Sequence, residues 1–155
     1  MKPQTVYPVM LMADDDPDDF FLTRAALEES GAQIQLHRVA NGEELLDYLF
    51  DDKSALPSLI LLDLNMPLKD GKEVLSILKS EPNLRQIPVV VYTSSTSADD
   101  IMSSYRLGAS TYISKPNSFQ SLVETMKTLC SYWLDVAALP FSEAELPPTT
   151  VQATG

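Results

Sequence analysis

The chain has 155 residues, 45% of them apolar and 21% charged, and its 22 acidic against 11 basic side chains give a formal net charge of −11. That length suits one domain able to bury a core without disulfides or structural metals, and that charge argues against a nucleic acid or an anionic membrane as a direct partner, since both are polyanions. No run of roughly 18 apolar residues occurs, and the opening MKPQTVYP lacks the apolar stretch of a secretory signal, so a cytoplasmic protein is expected.

Short apolar runs rich in β-branched residues alternate with longer stretches of helical period, the mark of βαβ units around a parallel sheet. In chain order the pattern predicts β1 over 9–13, α1 over 17–29 with Pro17 in its first turn, β2 over 34–39, α2 over 43–50 and β3 over 59–62. It continues with α3 over 71–80, β4 over 89–92, α4 over 98–107, β5 over 111–113 and α5 from 118 to about 134. The β3 and β4 runs, LILL and VVVY, are almost wholly apolar, which predicts strands buried on both faces. In α5, Phe119, Leu122, Val123, Met126, Leu129, Cys130 and Trp133 repeat at spacings of three and four and predict a core-facing stripe. Cys130 is the only cysteine, so no internal disulfide can form, and its place on that stripe indicates packing. The fold expected is a (βα)5 doubly wound α/β domain over residues 7–137. The Pro- and Thr-rich segment 138–155 is expected to be a flexible tail.

In an open α/β sheet, sites form outside the carboxyl ends of the strands. There β1 delivers Asp14, Asp15 and Asp16, β3 delivers Asp63 followed by Leu64, Asn65, Met66 and Pro67, β4 delivers Thr93 and Ser94, and β5 delivers Lys115 and Pro116. The end of β2, Val39 and Ala40, reads as inert. Carboxylates converging on one edge repel one another, and a hard divalent cation is the simplest way to keep them ionised. Mg²⁺, for which Mn²⁺ or Ca²⁺ can substitute, is the natural candidate. Lys115 adds a point charge for an anion and Thr93 a hydroxyl donor. Together these groups would stabilise a phosphoryl group in transfer to a carboxylate oxygen of Asp63.

The acidic cluster after β1, D-x-N-M-P-x-x-D-G at 63–71, Thr93 followed by a small residue, and Lys115 before Pro116 together resemble the receiver domains of two-component response regulators, of the CheY-like kind. The stretches DLNMPLKDGKEVL, VVVYTSS, SYRLGASTYISKP and SYWL are most similar to the small response regulators that partner phytochrome-type histidine kinases. The resemblance implies a five-stranded parallel sheet in the flavodoxin-like order 2-1-3-4-5. It also implies Asp63 as phospho-acceptor, Asp15 as a direct metal ligand, Asp14 as a ligand through water and the Asn65 backbone carbonyl as a further one. Lys115, Thr93 and Ser94 would bind the phosphoryl group, Tyr112 would swing from exposed to buried, and the Lys115–Pro116 bond would be cis. The partners implied are a histidine kinase of bacteriophytochrome type and a downstream protein, with a homodimer through the α4-β5-α5 face. Such a domain promotes its own phosphorylation and dephosphorylation and turns over no external metabolite. Asn65 and Ser95 would tune the phosphate's lifetime.

Other readings compete residue by residue. DDDPDD can be a solvated loop and helix cap, with Asp16 before Pro17 only a cap, and Asp16 is otherwise given no role. An EF-hand loop starting at Asp14 fails because Asp19 stands where Gly is needed and Ala25 where Glu is needed. A phosphatase of the haloacid dehalogenase type needs a second Asp two residues after the nucleophile, and Asn65 is there. His37, the sole histidine, lies on β2 and reads as structural. A degenerate receiver acting as a phosphorylation-independent scaffold is the remaining alternative.

Overall fold

The computed structural model describes residues 7–51, 53 and 55–140. The elements run β1 (Val9–Ala13), α1 (Pro17–Ser30), β2 (Gln35–Val39), α2 (Gly42–Phe50), β3 (Leu59–Leu62), α3 (Gly71–Ser80), β4 (Val89–Thr93), α4 (Ala98–Arg106), β5 (Thr111–Ser114) and α5 (Phe119–Cys130). They match the expected order, with no boundary moved by more than one residue except at the end of α5. There the chain continues as a π-helical segment, Ser131–Val136, closed by an Ala137 N–H that donates to the Tyr132 carbonyl at 2.7 Å. The adjacent Trp133 and Leu134 both pack on the core there. Most of the expected tail, residues 141–155, lies outside the described residues.

All strand pairs are parallel and the sheet order is β2-β1-β3-β4-β5. Because side chains alternate across a strand, each inner strand feeds two cores. Leu11, Ala13, Ile60, Leu62, Val89 and Val91 meet Leu45 and Leu49 of α2 and Val74, Leu75 and Leu78 of α3. Met10, Met12, Leu59, Leu61, Val90 and Tyr92 meet Ala26 and Leu27 of α1 and Leu122, Met126, Leu129 and Cys130 of α5. That two-sided burial is what the apolar runs LILL and VVVY require.

Each helix begins on a side chain that accepts from its own first turn: Asp16, Asn41, Asp70, Ser97 and Ser118. α1 ends on Gly31 at φ 77°, a left-handed turn that glycine adopts without a Cβ clash. None of the described helices is long and apolar enough to cross a membrane. Cys130 is 5% exposed, and burial pushes its thiol up to about 11. Native protein at pH 8 is therefore expected to react with a thiol reagent far more slowly than protein unfolded in urea. Equal rates in the two states would contradict the packing of α5.

Candidate functional site

The residues that carry chemistry sit one step beyond the strands, still held by the sheet's hydrogen bonding. The Asp14 N–H donates to the Val39 carbonyl at 3.1 Å, that of Asp63 to the Ala13 carbonyl at 3.0 Å, and that of Lys115 to the Thr93 carbonyl at 2.8 Å. Backbone ladders therefore fix two carboxylates and a lysine before any side chain contributes. Arg38 reinforces the acidic loop, its guanidinium donating to the Asp14 carbonyl at 3.1 Å and the Asp15 carbonyl at 3.2 Å.

Lys115 is the hub. Its ammonium lies 2.8 Å from Asp14 Oδ2, 3.1 Å from Asp63 Oδ2 and 2.6 Å from Asp19 Oδ2. All three of its N–H donors can thus be engaged, and the Tyr92 ring stands 5.8 Å from Nζ. Asp63 Oδ1 accepts from the Thr93 hydroxyl at 2.9 Å and from the Asn65 N–H at 3.0 Å. Asp14 Oδ1 accepts from the Asp16 N–H at 2.9 Å. Asp14 and Asp63 are buried, Asp15 is exposed, and the three offer carboxylate oxygens within 4.8 Å of one another.

The electrostatics follow from this crowding. Burial pushes the Asp14 carboxyl above its ordinary value, against the pull of hydrogen bonds from Lys115 and Asp16. Burial alone pushes Lys115 down, but the hydrogen bonds to Asp14 and Asp19 and the charge of Asp63 outweigh it and hold the lysine above its ordinary value. Burial lifts Tyr92 to about 12, so it stays a neutral phenol. An all-oxygen donor set with two buried carboxylates sharing one lysine fits a hard divalent cation such as Mg²⁺.

Asp14, Asp15, Asp63, Thr93 and Lys115 come together as the sequence predicts. Ser94 is exposed at the rim and hydrogen-bonds to none of them, and the Asn65 side chain is exposed while its N–H serves Asp63. Asp16 caps α1 by accepting from the Asp18 N–H. Tyr112 is half-buried with its hydroxyl donating to the Ser95 carbonyl at 2.9 Å, so its ring is already partly inward. The Lys115–Pro116 bond is trans, which corrects the cis expectation: no cis peptide occurs among the described residues. Trans is the intrinsically favoured isomer even before proline, and Lys115 reaches all three carboxylates with it. His37 shares a 2.9 Å hydrogen bond between its Nδ1 and the Tyr48 hydroxyl, a structural contact.

Two residues escaped the sequence reading. Asp19 was legible in principle: a helix starting at Pro17 puts it in the first turn, beside the strand end that carries Asp14. Arg38 carried no signal, since it is an alternating polar residue on a strand whose end looked inert.

The family model described as "Response regulator receiver domain" matches residues 10–127. Response regulator Rcp1 of Synechocystis sp. is 36% identical over 136 residues, covering 85% of this chain and 92% of Rcp1. The crystal structure of its Mn²⁺-bound form matches with a TM-score of 0.79, covering 86% of this chain and 99% of that one at 36% identity. The phosphorylated cyanobacterial phytochrome response regulator RcpA matches with a TM-score of 0.81 at 37% identity over 87% of this chain and 99% of that one. The bacteriophytochrome response regulator RtBRR matches with a TM-score of 0.69 at 33% identity, over 96% of this chain and 89% of that one.

Proposed function

We propose, from the premise that this chain belongs to the response regulator receiver domain family, that it is a switch driven by transfer of a phosphoryl group from a histidine kinase to Asp63. The single observation that carries the proposal is the setting of that carboxylate. It is buried at the end of β3, with Thr93 and the Asn65 N–H on one oxygen and Lys115 at the other. A carboxylate oxygen of Asp63 attacks phosphorus, the P–N bond to the kinase histidine breaks, and the imidazole leaves with the electron pair. Lys115 balances charge on the phosphoryl oxygens, and Thr93 turns its hydroxyl from Asp63 towards one of them. When bound by Asp14, Asp15, Asp63 and the Asn65 carbonyl, Mg²⁺ supplies further charge neutralisation, as the Mn²⁺-bound Rcp1 structure supports.

The output is a protein contact on the α4-β5-α5 face. Tyr112 of β5 connects the β4–α4 loop, through Ser95, to α4, where the Tyr105 hydroxyl accepts from the Tyr112 N–H at 3.1 Å. Met102, Tyr105 and Tyr132 are exposed nearby and supply apolar area for a downstream target or a second copy. Homodimerisation through this face predicts a rise in mass by light scattering between low and high micromolar protein, and a monomer throughout would refute it. RcpA and RtBRR support a phytochrome-type kinase as phosphoryl donor, and the lack of a spanning helix among the described residues is consistent with a cytoplasmic location.

The test is incubation with acetyl phosphate, with and without Mg²⁺, followed by intact mass. One acid-stable, base-labile adduct that needs Mg²⁺ and is lost in Asp63→Asn is expected. No adduct under any condition would favour the phosphorylation-independent scaffold.

A further inference from the structure

The shortest of the three contacts to Lys115 comes from the carboxylate that stands outside the metal-capable set: Asp19 lies 2.6 Å from Nζ, while the oxygens grouped closely enough for a cation belong to Asp14, Asp15 and Asp63. Two of the lysine's partners, Asp14 and Asp63, are therefore also the groups a divalent cation needs. Lysine and metal compete for the same charge, and they repel each other across a few ångström. From this geometry, and resting on the reading of the site given above, we infer that Asp19 is a positioning residue for Lys115. It is the counter-charge that keeps the ammonium at the site when Asp14 and Asp63 turn to Mg²⁺.

The surroundings fit that role. Asp19 sits in the first turn of α1 and its side chain is 30% exposed, so it is anchored by the helix and partly shielded from solvent beside Lys115. The lysine is 15% exposed and the Tyr92 ring lies 5.8 Å from Nζ, which limits where Nζ can go. With Asp19 present, the ammonium has a partner that the metal does not claim. Without it, the ammonium has only Asp14 and Asp63, and each metal ion that binds must displace it from both.

The consequence is a coupling that a through-space charge effect alone does not produce. Lys115→Met removes the competing cation and is expected to tighten Mg²⁺ binding. Asp19→Asn is expected to weaken it by about threefold to tenfold, because an ammonium left with no other partner holds Asp14 and Asp63 more firmly against the metal. In the Lys115→Met background, Asp19→Asn should change Mg²⁺ affinity by less than about twofold, because the group it acts through is gone. Asp19→Glu keeps the charge and should restore most of the affinity lost in Asp19→Asn.

Calorimetric titration of MgCl₂ into the full chain reads all four variants against wild type without any phosphoryl donor, and far-UV circular dichroism checks that each is folded. Strong weakening by Asp19→Asn in wild type but not in Lys115→Met supports the inference. Unchanged affinity in Asp19→Asn, or equal weakening in both backgrounds, overturns it while leaving the phospho-acceptor reading intact. A wild-type chain that binds no Mg²⁺ would remove the metal site and this inference together.

Discussion

Lys115→Met is expected to cost the metal-free protein about 2–4 kcal/mol at neutral pH, below the full penalty for breaking a buried ion pair because the lysine is partly exposed. Its removal strands Asp14 and Asp63, whose side chains are 1% and 7% exposed, beside each other without a counter-charge. The sign of the pH response follows. Asp14 already has its carboxyl pushed up by burial, and losing the lysine pushes it further. A group whose folded value is raised adds stability once protonated and loses it as pH rises through that value. The variant should therefore gain stability relative to wild type as the solution is acidified through the raised carboxyl range. Millimolar Mg²⁺ should recover most of the loss at neutral pH, since it binds the folded state alone. Urea unfolding in EDTA and in Mg²⁺ at two pH values measures this. A variant as stable as wild type in EDTA would contradict the account of Lys115 as the charge that balances the site.

Gly71→Ala is expected to destabilise the fold by about 2–3 kcal/mol, the range of an overpacked core position. A Cβ at Gly71 would stand 2.4 Å from the Asp63 carbonyl oxygen and 2.6 Å from Leu64 Cα, and backbone cannot yield as a flexible side chain does. The Gly71 N–H also donates to the Leu64 carbonyl at 2.9 Å, so the first turn of α3 is seated directly on the acceptor loop. Relief of the clash must move either α3 or Asp63. The same variant should therefore take up phosphoryl groups more slowly than wild type at equal Mg²⁺. Unfolding by urea gives the first quantity and the initial rate of adduct formation with acetyl phosphate the second. Wild-type values of both would mean that the helix and the loop are not coupled as described.

The strand count, the helix faces and the site edge were legible because burial imposes its period on the sequence. LILL and VVVY announce strands covered on both sides, and the α5 stripe from Leu122 to Cys130 packs where its spacing says it should. Asp14, Asp63, Thr93 and Lys115 were legible because each directly ends or follows a run that had to be a strand. The details that escaped depend on tertiary placement. Arg38 reaches two carbonyls across the β1–β2 edge, and no local pattern marks a side chain that clamps someone else's backbone. Leu68 takes φ 69° in the loop after Pro67, a left-handed conformation that a leucine sequence does not advertise and that the surrounding loop must impose. The trans Lys115–Pro116 bond falls in the same class, since isomers close in energy are chosen by the fold around them. The π-helical extension likewise reflects how Trp133 and Leu134 meet the core, a matter invisible to a 3.6-residue period.

The central claim, that Asp63 is the acceptor, is tested most directly by locating the phosphoryl group. Phosphorylated protein is reduced with borohydride, which converts an acyl phosphate to an alcohol and so turns the modified aspartate into homoserine, and the chain is then mapped by peptide mass spectrometry. The account predicts homoserine at position 63 alone, dependent on Mg²⁺ during phosphorylation. Homoserine at position 14, 15, 16 or 19, or no homoserine at position 63 in protein that carries an adduct, would contradict it.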